Sequence, residues 1–384
     1  MPIDILTVTT ELDRNDRLAE IGGTSYLTKL VTDTPTSLHA SAYAKIVRET
    51  STRRQLLQAA NEIAKAAYDA EVSIEETVSK SISSVVDVAG RATAGQTHTS
   101  HDVFSSVYDR VDQLSQQPED QFPGVPTGIF DLDRLLGGGL QPGRLVIIGG
   151  RPGQGKTSLI LTMLHNIAVA GKKRAAIFSL EMDNDELGQR MVAINSGIDG
   201  QIIQTGKLRD DQWNQFTTSI EFLSETNLLF DDTAYLTPSQ IRAKCKRIQA
   251  QGALDLVVVD YLGLLNSDRQ YRNRVDEVSE ISRSLKQLAR ELKVPILAAH
   301  QLNREVEGRA DKRPQLSDLR DSGSVEQDAD VVGLIWQDQR EASHVYLDVA
   351  KHRNGPTGQV PLLFQRNTTR FQSIARGYPN AQIH

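Results

Sequence analysis

The chain has 384 residues, 39% of them hydrophobic and 24% charged, with a net charge of −6. That is more than one ordinary domain, of normal composition for a soluble globular protein. No apolar run approaches the roughly 20 residues of a membrane span, no secretory signal pattern opens the chain, and the one cysteine, Cys245, excludes an internal disulfide and a cysteine-based zinc site. A cytoplasmic protein is expected, and one this acidic must bind any nucleic acid through a local surface.

Residues 1–85 read as helical. Within 41–68, Ile46, Val47, Leu56, Leu57, Ile63 and Ala67 recur near helical spacing, and Gly22, Gly23 and Pro35 punctuate the region. Composition changes over 86–121. Small and polar residues dominate 90–101, which reads as a flexible linker. Val103, Val107, Val111 and Leu114 then place one apolar face on a short helix. From Phe122 the pattern repeats strand, loop and helix, so 122–384 is predicted to be an α/β domain with a mostly parallel central sheet. Strands are expected at 145–149, 175–180, 228–230, 254–259, 295–299, 329–336 and 345–349. Helices are expected from Thr157, from Thr237 as cap with Pro238 at the first position, and over 275–292.

The motif that carries most chemistry joins the first of these strands to its helix. Gly150, Arg151, Pro152, Gly153, Gln154, Gly155, Lys156 and Thr157, with Ser158 after them, match the P-loop pattern at every fixed position. Glycines let backbone N–H groups curl around phosphate oxygens, and the helix N-terminus adds its positive end. Lys156 would reach the β- and γ-phosphates and the Thr157 hydroxyl a Mg²⁺ ion. Asp260 ends the apolar strand 254–259, at the sheet edge where ligands bind, and could hold the metal through water. Glu181 follows the strand 175–180 and could polarise an attacking water; an ordinary glutamate near a helix start is the level alternative, since Asp183, Asp185 and Glu186 follow. Gln301, at the end of the strand that starts at Pro295, could sense a γ-phosphate, although by itself it reads as a surface glutamine. Lys351 and Arg353 lie beyond a late strand and could neutralise transition-state charge, in a neighbouring chain if they cannot reach this chain's own nucleotide. An isolated pair of this kind is more often a basic hairpin tip.

In this order the pieces resemble the replicative helicases of the DnaB type. The resemblance rests on 126–133 (PTGIFDLD), the P-loop, 178–182 (FSLEM), 260–262 (DYL), 300–304 (HQLNR), 311–330 (DKRPQLSDLRDSGSVEQDAD) and 351–358. The run from Gln301 to Asp330 is more specific than any P-loop. The resemblance implies a RecA-like P-loop NTPase domain, preceded by a small, incomplete, all-helical N-terminal domain and a linker helix. It implies a homo-hexameric ring that binds ATP and Mg²⁺ between neighbours and moves 5′ to 3′ along single-stranded DNA in its channel. By position, Glu181 matches the catalytic carboxylate, Asp260 the metal-side aspartate, Gln301 the γ-phosphate sensor, and Lys351 and Arg353 the cations acting across the subunit boundary. Arg304, Asp321 and Gly323 match loop positions that grip the DNA backbone. Residues 268–320 hold 12 basic against 9 acidic side chains, a mild excess that six copies would sum around a channel.

The first region resembles the family at 2–4 (PID), 21–27 (IGGTSYL) and 43–49 (YAKIVRE). It matches only the later part of the N-terminal domain that forms a collar and recruits primase. An incomplete collar is therefore expected, which bears on primase binding and loading by a helicase loader. Residues 103–114 align with the linker helix that docks on the adjacent subunit. Gly263 and His352 each stand where the family usually has glutamine. A RecA-like recombination or repair ATPase, or an ATPase that binds ATP and DNA without unwinding, are the alternatives.

Overall fold

Helical periodicity over residues 1–85 and strand–helix alternation after residue 122 are both realised among the described residues of the computed structural model. It describes residues 5–15, 17–33, 40–68, 74–93, 99–116, 123–269, 271, 273–309, 312–319, 323–337 and 344–374. The chain falls into two units, Met1–Thr97 and His98–His384.

The first unit holds α1 (Ile5–Arg14), α2 (Gly23–Asp33), α3 (Ala40–Tyr68) and α4 (Ile74–Thr93), with α3 packed along α4. The boundary expected at residue 85 falls inside α4. Its apolar repeat of Ile74, Val78, Ile82 and Val85 runs on to the buried Val88, so the small residues near Gly90 form the helix's last turn and the expected linker is helical as far as Thr93.

The second unit opens with α5 (Ser100–Ser115), which starts where Thr99 and Asp102 form a capping box. The expected apolar face is present and wider than predicted, because Phe104 and Tyr108 join it at 71% and 73% exposure. Then follow α6 (Phe130–Leu135), β1 (Leu145–Gly150), α7 (Lys156–Val169), β2 (Ala175–Ser179), α8 (Asn184–Ser196), α9 (Gly200–Thr205), α10 (Asp210–Ser224), β3 (Leu228–Asp231), α11 (Pro238–Gln251), β4 (Leu256–Asp260), α12 (Arg274–Leu292), β5 (Ile296–Gln301), α13 (Gly323–Asp328), β6 (Val331–Gln337), β7 (His344–His352), β8 (Gly358–Gln365) and β9 (Arg370–Ser373).

These strands form one sheet in the order β3-β2-β4-β5-β1-β6-β7-β8-β9. Pairing is parallel from β3 to β6 and antiparallel from β6 to β9. β1, β2 and β4 are buried along their whole length, as their uninterrupted apolar runs require when helices cover both faces. One face packs on α7 and α8, the other on α11 and α12. The sequence reading missed β8 and β9. β8 contains Pro361, which argues against a strand in a central position, and β9 has only four residues.

One buried carboxylate ties the start of the sheet together. Asp330, 2% exposed, accepts from the Leu145 amide at 2.8 Å and pairs with Lys286 of α12, with Arg144 at 3.4 Å and with Arg353 at 3.7 Å. Burial pushes its pKa up, but Lys286, the Leu145 amide and Arg144 outweigh this and hold it below the ordinary aspartate value. A depressed pKa gives stability that is present above the unfolded-state value and lost as pH falls through the folded one. Asp330→Ala should therefore destabilise the unit by up to about 3–5 kcal/mol at neutral pH, because it leaves the largely buried Lys286 and the Leu145 amide without their acceptor. In urea denaturation the gap from the unsubstituted protein should close as pH drops below about 3.9; a gap unchanged at low pH would contradict this account.

Candidate active site

The parallel strands deliver four of the expected residues to one edge of the sheet. Gly150 ends β1, and the loop after it turns into α7 through Gly153 and Gly155, at φ 75° and 88°. Both are conformations that glycine adopts freely. The first amides of α7, at Lys156, Thr157 and Ser158, have no partner within the helix. In the next strand Gln301 pairs in register with Gly150. Asp260 ends β4, and Ser179 of β2 lies level with it. The Leu180 amide donates to the Asp260 carbonyl at 2.7 Å, which sets Glu181 just beyond the same edge. Glu181 is not the cap of α8: Asp183 is, accepting from the Glu186 amide at 2.7 Å. Glu181 thus lies just before the helix start without capping it.

A cleft of about 510 Å³ joins these parts, with Lys156, Thr157, Glu181 and Gln301 in its lining. Lys156 donates to the Arg151 carbonyl at 3.2 Å. Burial draws its pKa down; Asp260 and Glu181 oppose this, and Arg151 adds to it. Asp260, 1% exposed, has neither carboxylate oxygen in a hydrogen bond among the described residues. Burial raises its pKa, and the Thr157 hydroxyl close by offsets part of the rise without reaching hydrogen-bond geometry. A buried, unpaired carboxylate is costly, and here it stands beside the Thr157 hydroxyl and Lys156.

Sequence reasoning missed Arg190, Tyr261, Phe364 and Arg366, which also line the cleft. The i,i+4 pair of Glu186 and Arg190 was legible on α8. Phe364 sits on the unpredicted β8 and stacks on Phe371 with centroids 4.3 Å apart. The Phe371 amide donates to Thr162 of α7 at 3.1 Å, so the last hairpin braces the P-loop helix.

Lys351 and Arg353 are not in this cleft. β7 runs antiparallel to β6, with His352 level with Val331 and thus with Val146. The pair lies toward the opposite end of the sheet, with His352 between them four residues along β1 from Gly150, roughly 13 Å at about 3.3 Å per residue. There Lys351 donates to the Glu326 carbonyl, and Arg353 to the Gln327 carbonyl at 3.0 Å, at the carboxyl end of α13. The basic hairpin tip is real: His352 faces the Pro356 carbonyl at 3.2 Å within the turn. The Gly263 carbonyl accepts from Arg274 at the start of α12. Arg304 opens a 3₁₀ turn, Arg304–Gly308, and Gly323 opens α13; Asp321 lies outside the described residues. Among the described residues no helix is long and apolar enough to cross a membrane.

Fold and site together define a RecA-like P-loop motor domain. The family model for the DnaB-like helicase C terminal domain matches residues 124–373, and that for the DnaB-like helicase N terminal domain matches residues 1–49. The chain is 40% identical to the replicative DNA helicase DnaC of Bacillus subtilis and 40% identical to the replicative DNA helicase DnaB of Geobacillus stearothermophilus. Each match covers 100% of this chain and 85% of the relative. Among solved structures, an isolated ATPase domain matches with TM-score 0.69 and 31% identity over 73% of this chain and 100% of its own. A DnaB-like replicative helicase, described with its interactions with primase, matches with TM-score 0.72 and 29% identity over 96% of this chain and 87% of its own. The chain belongs to the DnaB-like replicative DNA helicases, which favours the helicase reading over a recombination ATPase.

The loop's backbone predicts its own sensitivity. An alanine at Gly155 would bear a left-handed φ, costing about 1–2 kcal/mol, and its Cβ would lie 3.0 Å from the Phe371 ring. Gly155→Ala should weaken nucleotide binding at least about tenfold, read by titration of a fluorescent nucleotide. Gly188→Ala on α8, where a Cβ meets nothing within 4 Å, should leave it unchanged. Equal effects from both substitutions would remove the loop geometry as the cause.

Proposed function

We propose that six copies of this chain form a ring that hydrolyses ATP between neighbouring subunits, and that the ring travels 5′ to 3′ on single-stranded DNA and unwinds the duplex at a replication fork. The observation that carries this is the separation of the charges. One chain gathers Lys156, Thr157, Glu181, Asp260 and Gln301 at one end of its sheet and sends Lys351 and Arg353 to the other. A second subunit is then needed to set these cations against a γ-phosphate. The exposed apolar face of α5, with Val107, Tyr108 and Val111 open to solvent, offers a second hold between copies.

In this reading the P-loop amides and Lys156 hold the phosphates. Glu181 orients and polarises the attacking water. Gln301, beside Gly150, meets the γ-phosphate and registers its loss. Mg²⁺ fits the residues present: Asp260 offers two unpartnered oxygens and Thr157 a hydroxyl, and among the described residues no cluster of three or more acidic, His or Cys side chains would cage a metal without phosphate. When bound, the ion neutralises charge on the β- and γ-phosphate oxygens. Arg304, Asp321 and Gly323 are assigned to the DNA backbone. The work would take place in the cytoplasm at the nucleoid. Primase contact, with recruitment by a loader, falls to the N-terminal unit.

Glu181→Gln should keep ATP binding and lower kcat about 10²–10⁴-fold; a full rate would remove Glu181 from the chemistry. The test of the shared site is complementation. Arg353→Ala and Lys156→Ala rings should each be inactive. Mixed rings, their composition verified by native mass spectrometry, should regain hydrolysis at interfaces that pair an intact Lys156 with an intact Arg353. No recovery in such rings would contradict action across the boundary.

A further inference from the structure

The segment between β5 and α13 is anchored at both ends of the catalytic arrangement. On the P-loop side, Arg151 donates to Glu307 at 2.6 and 2.9 Å and to the Leu302 carbonyl at 2.9 Å. At its own base, Arg309 pairs with Asp318, and the Asn303 amide donates to the Asp318 carbonyl at 2.7 Å. On the far side, Arg313 donates to Asp348 at 2.6 Å. Asp348 lies on β7, three residues before Lys351 and five before Arg353.

The last contact has unusual chemistry. Asp348 is 5% exposed, and its Oδ1 has no hydrogen-bond partner among the described residues. Its Oδ2 accepts from both Arg313 and the Trp336 indole, the latter at 2.9 Å. The Arg313 side chain is half in water, at 52% exposure, and lies 5.9 Å from the centroid of Trp336, which stacks on Tyr346. A cleft of about 500 Å³ opens beside the pair. Without Arg313 the buried carboxylate would keep Trp336 as its one donor, so the ion pair favours Arg313 moving with β7, and the open cleft leaves room for that movement.

We infer that Arg313 and Asp348 are a positioning pair that couples the strand bearing Lys351 and Arg353 to the segment bearing Arg304. When the cations engage a neighbour's nucleotide, β7 shifts and the pair passes the shift to the DNA-facing segment, while Arg151 and Glu307 report this chain's own nucleotide to the same segment. The inference rests on the proposed function, because it assumes cations acting across a boundary and DNA contact through this segment.

The test measures kcat and KM for ATP with and without single-stranded DNA, on hexamers of the unsubstituted protein, Asp348→Asn, Arg313→Gln, the double variant and Arg313→Lys. Asn at 348 keeps an acceptor for Trp336 and the shape of the side chain. Each of Asp348→Asn and Arg313→Gln should hold the DNA-free kcat within about twofold and lose most of the stimulation by DNA, and the double variant should lose no more than either, as coupled partners do. Arg313→Lys should recover part of the stimulation. In a Trp213→Phe background Trp336 is the remaining tryptophan, and DNA should change its emission with the pair intact but not in Asp348→Asn. Stimulation unchanged in the single variants, additive losses, or an equal fall with and without DNA would overturn the inference. No stimulation in the unsubstituted hexamer would instead count against the helicase reading itself.

Discussion

In a sheet of parallel strands every carboxyl end emerges at one edge, and a strand that runs the other way delivers its end to the opposite edge. Most of this domain's chemistry follows from that constraint. β1, β2, β4 and β5 run together, so the P-loop, Glu181, Asp260 and Gln301 meet without any long loop to arrange them. β7 is reversed, so Lys351 and Arg353 finish at the far end, held by the carbonyls that close α13. Cations are favourable at a helix carboxyl end, which accounts for where these two positive side chains rest within one chain.

Buried carboxylates then divide the labour. Asp330 is satisfied by an amide and three cations and fastens β1, α12 and the hairpin into one body. Asp133 is similarly enclosed, accepting from the Thr127 amide and hydroxyl at 2.8 Å and from the Gly128 amide at 3.1 Å, with its pKa raised by burial to about 6. Asp260 has the same burial and, among the described residues, no hydrogen-bond partner. The contrast supports the proposal that its complement comes with a ligand. Asp348 is intermediate, with one oxygen shared by Arg313 and Trp336 and the other without a hydrogen-bond partner among the described residues.

Much of this was legible because the chemistry is written in consecutive residues. The P-loop is a run of eight, and Asp260 and Gln301 close apolar runs whose burial on both faces could be read directly. Their meeting at one edge follows once the strands are taken as parallel. The position of Lys351 and Arg353 was harder, because it depends on the direction of β7, and no residue within β7 states that direction. The last hairpin was hidden by Pro361 and by the shortness of β9, and with it went Phe364 and Arg366. The extent of α4 was misjudged where composition changed before the apolar repeat did. Arg313 could be seen only as part of the family-matching run 311–330, since its partner lies 35 residues further on.

The central claim is that one chain holds an incomplete site. It is tested most directly by measuring ATP hydrolysis per chain across a concentration series, with and without single-stranded DNA, while mass photometry records the species present. The account predicts hydrolysis that appears with the hexamer and rises further when DNA is added. Full-rate hydrolysis by a monomer would contradict it.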